Sequence, residues 1–120
     1  MTPPYKPAAI HIDNDDEEDG FYSIGFFFNP ESDNAPKHLG LCRDIEENPD
    51  EVYIEADDQI YGFHTQSASF EMHGTVLTIS LADDNRFYWS DLATVDIDIP
   101  QEDINSILSC LRSIFDIQVQ

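Results

Sequence analysis

The stretch that decides the fold is Val95-Asp96-Ile97-Asp98-Ile99-Pro100-Gln101-Glu102-Asp103-Ile104, continued by Asn105-Ser106-Ile107-Leu108-Ser109-Cys110-Leu111-Arg112-Ser113-Ile114-Phe115. Its first five residues alternate apolar and acidic, the period of a strand with one buried face. After Pro100 the period changes. Ile104, Ile107, Leu108, Leu111, Ile114 and Phe115 follow at spacings of 3, 1, 3, 3 and 1, and at 100° per residue they fall within an arc of about 120°. Ser106, Ser109 and Ser113 lie on the far side. Pro100 suits a first helical turn, and Gln101-Glu102-Asp103 sets acid at the positive end of the helix dipole. The spacing predicts one C-terminal helix whose apolar stripe packs on a sheet.

Working back from this stretch, the chain reads as strands. Thr75 to Leu81 alternates Val76, Thr78 and Ser80 with Leu77, Ile79 and Leu81, and it pairs with Ser67 to Met72 across His73-Gly74, a two-residue hairpin with glycine supplying the positive φ. Ile60 to Phe63 forms a further segment in which Gly62 suggests a tight turn. Val52 to Glu55 has strand propensity and is closed by Ala56-Asp57-Asp58-Gln59. His38 to Arg43 places Leu39 and Leu41 on one face. Phe21 to Phe28 reads as a central strand with Gly25 marking a bulge or a close backbone approach, and Ala8 to Ile12 as a short first strand. Strands first and a helix last predict an α+β domain, a mostly antiparallel β-sheet packed against one C-terminal α-helix. At 120 residues the chain is expected to be a single domain over 1–120, with 1–7 and 117–120 as loose ends.

Composition bounds the function. Five Lys+Arg against 25 Asp+Glu give a formal net charge of −20, which argues against direct binding of nucleic acid or of an anionic membrane, since both demand basic patches. Forty-one per cent apolar residues, with eight Phe, five Tyr and one Trp, set the chain apart from a disordered acidic tail. The N-terminal segment carries no apolar h-region and no run approaches a membrane span, so a cytoplasmic protein is expected. Cys42 and Cys110 read as reduced thiols.

Candidate chemistries fall short of their requirements. Asp15-Asp16-Glu17-Glu18-Asp19-Gly20 lacks the twelfth-position acid and the flanking helices of a calcium loop. His11, His38, His64 and His73 have no zinc spacing. His38 and Cys42 share one side of a strand but are separated by roughly 13 Å, too far for proton transfer. Asp96 and Asp98 need no catalytic explanation on a solvent-facing strand. The expectation is a non-enzyme without metal or cofactor.

The charge remains. Residues 44–58 hold eight acids, Asp44, Glu46, Glu47, Asp50, Glu51, Glu55, Asp57 and Asp58, and no base. Such a surface steers and clamps a cationic partner, although adaptation to a salty cytoplasm would produce acidity too. Tyr53, Tyr61 or the group Phe87-Tyr88-Trp89 would serve either as interface anchors or as core.

Val52-Tyr53-Ile54-Glu55-Ala56-Asp57-Asp58-Gln59-Ile60-Tyr61-Gly62 resembles the Y-x-E-x-D-D-Q segment of the immunity protein 10 family, antidotes of bacterial polymorphic toxin systems. The likeness continues through Thr75–Leu81 and Val95–Ile99 and ends in Leu111-Arg112-Ser113-Ile114-Phe115, similar to the family's L-R-x-I-F ending. It covers roughly 50–116 and is weak before that. The acidic run at 15–19 and the aromatics at 87–89 depart from it. The resemblance implies a cytoplasmic protein that neutralises a cognate toxin, for example a basic nuclease, by laying Glu46, Glu47, Asp50, Glu51, Glu55, Asp57, Asp58, Gln59 and Tyr61 over a cationic cleft. An acidic nucleic-acid-mimicking regulator, or a chaperone of a basic host protein, is the alternative. Asp57 or Asp58 could instead cap a turn, with Gln59 bonding backbone.

Overall fold

The computed structural model describes residues 4–13, 21–28, 36–44, 51–82 and 84–115. Eight strands precede the helix: β1 (Pro7–Asp13), β2 (Phe21–Phe28), β3 (His38–Asp44), β4 (Val52–Ala56), β5 (Asp58–Thr65), β6 (Ser69–His73), β7 (Val76–Ser80) and β8 (Thr94–Asp98). A 3-10 turn over Gln101–Asp103 then leads into α1 (Ile104–Phe115). The fold is α+β with antiparallel strand pairing throughout both sheets.

The strands divide into two sheets, where a single sheet was expected. One is a meander in the order β1-β2-β3-β4-β5, the other the three-stranded β6-β7-β8. Tyr5 joins them. Its N–H donates to the Asp96 carbonyl at 3.0 Å and its carbonyl accepts from the Asp98 N–H at 2.8 Å, so the lead-in to β1 runs parallel beside β8. A register shift between Pro7 and Ala9 follows at once, and such an irregularity bends the strand away from its partner. Tyr5 and Pro7 are therefore part of the sheet system rather than a loose end, while 1–3 and 117–120 lie outside the described residues.

The helix stripe lies over the inner face of β2 and β3 and reaches β6, where the Phe70 and Phe115 rings are 5.2 Å apart. Ile107, Cys110, Leu111, Ile114 and Phe115 are buried, against Ile24, Phe26, Leu39, Leu41 and Ile54 of the larger sheet and Leu77, Ile79, Val95 and Ile97 of the smaller. Each large aliphatic side chain so buried contributes roughly 1.5–3 kcal/mol of transfer free energy. Arg43 shares this inner face. It is only 8% exposed and donates to the Ser113 carbonyl at 3.0 Å, placing a cation against the negative end of the helix dipole. One of the five basic residues is thus committed to structure.

Three local expectations are corrected. Gly62 lies inside β5, not at a turn, and a Cβ there would run into the Tyr53 hydroxyl. Gly25 pairs in register with Gly40, without a bulge. The hairpin loop is Gly74-Thr75, because His73 still pairs with Val76, and Gly74 carries the positive φ of 64°. Among the described residues no helix is long and apolar enough to cross a membrane.

Candidate functional site

Period two gives the five-stranded sheet a second face, turned away from the helix. There Gly25 of β2 lies opposite Gly40 of β3, so two adjacent central strands are bare of side chains at one level. Around them His11, Phe27, His38, Cys42, Tyr53 and Glu55 rise to enclose a groove of about 300 Å³. The Phe27 and His38 rings stand 4.9 Å apart at one side. On the other, Tyr53 lies across Gly62, with its ring 4.9 Å from that of His64.

Tyr53 donates its hydroxyl to Glu55 Oε1 at 2.7 Å. That bond favours the protonated phenol and, together with burial and the Glu55 charge, pushes the Tyr53 pKa up to about 12. Burial raises the Cys42 thiol, and Glu55 and Asp44 add to it. Cys42 is therefore held as the thiol at neutral pH, which works against nucleophilic chemistry with His38. Cys110 is pushed up to about 11 by burial first and Asp13 second, and its thiol meets the Ser23 carbonyl at 3.4 Å. Among the described residues no group of three or more His, Cys, Asp or Glu is placed to hold a metal ion.

A second feature sits at the end of the same sheet. β4 turns into β5 through Asp57 alone, with Ala56 paired to Asp58, and Asp57 takes a left-handed φ of 65°. Aspartate tolerates this region better than most residues. Its carboxylate ties down the turn: Oδ1 accepts the N–H of Lys37 at 2.7 Å and of His38 at 3.2 Å, while Oδ2 accepts the Tyr88 hydroxyl. Burial, the bond to Asp57 and the Asp57 charge raise the Tyr88 phenol to about 12. Asp58 Oδ1 accepts the Ile60 N–H at 3.3 Å.

Tyr88 arrives from the loop between β7 and β8 and stacks on Tyr61, with ring centroids 3.7 Å apart and planes 4° from parallel. The loop divides its aromatics by alternation. Phe87 is buried at 2% exposure, and Trp89 packs 5.0 Å from it and donates to the Tyr5 hydroxyl at 3.2 Å. Tyr88, between them, points outward. The result is an exposed stacked pair at the rim of the turn, Tyr61 at 39% and Tyr88 at 42% exposure, while Ile60, at 77%, points to the other face of β5 and Leu92, bridged to Phe87 at the base of the loop, is 55% exposed.

The predicted site residues are partly brought together. Glu55, Asp57, Asp58 and Tyr61 gather at this end of the sheet. Glu51 does not join them. It precedes β4 at the opposite end, where Glu51 Oε1 lies 3.7 Å from His64 Nδ1, and a strand of this length separates it from Glu55 by roughly 13 Å. The acids of 44–58 therefore do not form one patch among the described residues. Glu46, Glu47 and Asp50 lie outside those residues, as do the side chain of Gln59 and the run at 15–19. Asp57 carries the turn-capping role that the sequence left open. Ile60 is the exposed residue the sequence reading did not single out, and the stacking of Tyr88 on Tyr61 is the pairing it did not reach. An isoleucine directly after the polar turn Asp57-Asp58-Gln59 was the available signal for Ile60, while no local pattern links Tyr88 to Tyr61.

Comparison of the chain with protein-family models, with curated proteins and with solved structures returns no match. The likeness to the immunity protein 10 family accordingly rests on the residues quoted for it.

Proposed function

We propose that this protein is a cytoplasmic antidote, an immunity protein that binds a cognate secreted bacterial toxin and blocks its cationic cleft. The observation that carries this reading is the rim at the β4–β5 turn, where the exposed stacked pair Tyr61 and Tyr88 stands beside Asp57 and Asp58 in a chain of net charge −20. Rigid aromatics ringed by polar groups are the composition of an interface centre. An exposed apolar cluster on a highly charged protein is otherwise a solubility cost.

The electrostatics favour a basic partner. The two segments that build the rim, 55–61 and 82–92, carry Glu55, Asp57, Asp58, Asp83, Asp84 and Asp91 against Arg86 alone. Long-range attraction from the whole chain raises the association rate, and the stacked tyrosines slow dissociation. Asp57 acts through Tyr88 rather than on the partner, because its carboxylate already accepts three donors.

The test is co-expression with the protein encoded immediately upstream, scored for growth rescue and co-purification. Rescue with a complex that weakens in high salt supports the antidote. A harmless neighbour, with a basic host protein co-purifying instead, favours the regulator or chaperone.

A further inference from the structure

We propose that the glycine-floored groove on the outer face of the five-stranded sheet is a receptor for a single guanidinium side chain, an arginine presented by the basic partner. The inference rests on the reading of that partner as a cationic protein. It adds a site that neither the charge of the chain nor the rim assigns.

The shape argues first. Gly25 and Gly40 face each other across β2 and β3, and the Phe27 and His38 rings lean over them, so glycine backbone and these two rings together shape the groove. The groove holds about 300 Å³, about ten times the share of one water in the liquid and at the lower limit for small-molecule pockets. That volume suits a planar head on an aliphatic stem rather than a bare ion.

The lining chemistry selects the occupant. Phe27 and Tyr53 offer ring surface on opposite sides of the floor, and a cation over an aromatic face is attracted to it. Glu55 supplies the charge. One of its oxygens accepts the Tyr53 hydroxyl at 2.7 Å, and the other takes no bond among the described residues. The carboxylate is thus held in one orientation with an oxygen free to accept an N–H of the guanidinium, while the lone pair left on the other oxygen can take a second. Guanidinium is planar, stacks and forks, whereas ammonium does neither, so arginine is preferred to lysine.

The experiment needs no toxin. The full chain, labelled with nitrogen-15, is titrated with N-acetyl-arginine methylamide and, separately, with the uncharged citrulline analogue. The arginine probe should give saturable shifts centred on the amides of Gly25, Gly40 and Glu55, with a Kd of about 1 mM, as expected for so small a ligand. The citrulline probe should bind at least about fivefold more weakly, and Glu55→Gln should weaken the arginine probe about tenfold. Glutamine can still accept from Tyr53, so this variant is expected to keep the native spectrum. Gly40→Ala, which narrows the floor against His38, should weaken binding independently. Linear shifts spread over the surface, equal binding of citrulline, or an unchanged Kd in Glu55→Gln would each overturn the proposal. A groove that binds arginine in a protein that rescues no cell would leave the groove standing and remove only the antidote.

Discussion

The two faces of the five-stranded sheet are made by the same strands and have opposite fates. On the inner face Ile24, Phe26, Leu39, Leu41 and Ile54 are at most 1% exposed beneath the helix. On the outer face, one residue along each strand, stand Gly25, Phe27, Gly40, Tyr53 and Glu55, open to solvent around a groove. Side-chain alternation thus separates stability from recognition within single strands. Substitutions on one face should leave the other largely untouched.

The largest effect is expected from the inner face. Leu111→Ala removes a fully buried side chain at the centre of the helix stripe and should destabilise the fold by about 2–5 kcal/mol. Chemical denaturation measures this. Amide shifts around Gly25 and Gly40 in the folded variant should stay within those of the wild type; a collapse of the groove would break the separation of faces.

Gly62→Ala tests the outer face. The new methyl group meets Tyr53 and must displace it from Glu55, at about 1–3 kcal/mol as for other overpacked sites. Absorbance of phenolate at high pH supplies the specific readout: the Tyr53 phenol should fall from about 12 towards the ordinary tyrosine value of about 10.

The same phenols fix the alkaline limit. Tyr53 and Tyr88 both have folded values of about 12, above the unfolded value. A group raised on folding contributes stability that is intact below the unfolded pKa and lost as pH rises through the folded one. Stability from these two bonds should therefore hold to about pH 10 and decline between about 10 and 12. Tyr88→Phe should remove the Asp57 share of that decline and leave the Tyr53 share.

The smallest stability effects belong to the rim. Asp58→Asn and Ile60→Ser alter exposed side chains and should shift unfolding by less than about 0.5 kcal/mol. Their expected effect is on partner affinity, through the dissociation rate for Ile60 and through salt dependence for Asp58.

Much of this architecture is legible in the sequence, and the illegible part has a physical cause. Val95–Ile99 and Ile104–Phe115 announce themselves through periods of 2 and 3.6, because burial on one side alone imposes a period. Gly74 marks its hairpin because positive φ is a local demand. Gly62 carries no such local sign: its reason is Tyr53 on the neighbouring strand, a contact visible only once the register is known. The division into two sheets is hidden in the same way, since Tyr5 pairs with Ile97 across most of the chain.

The site follows this pattern. Asp58 and Tyr61 lie close together in space because one short segment carries both, whereas Glu51, also near in sequence, is carried to the far end by the length of β4. Tyr88 reaches Tyr61 through a loop whose ends are fixed by Phe87 and Trp89, and nothing in the neighbouring residues predicts the stack. The groove depends on Gly25 and Gly40 facing each other, a fact of register rather than of composition.

The most direct test of the central claim is calorimetric titration of the upstream-encoded protein into wild type, Tyr61→Ala and Leu108→Ala. Leu108 lies on the partly buried margin of the helix stripe, away from the rim. A rim that anchors the partner predicts at least about a hundredfold loss of affinity for Tyr61→Ala, as for an interface hot spot, with unchanged affinity for Leu108→Ala despite its lower stability. Equal affinity for wild type and Tyr61→Ala, or no complex with any of the three, would contradict it.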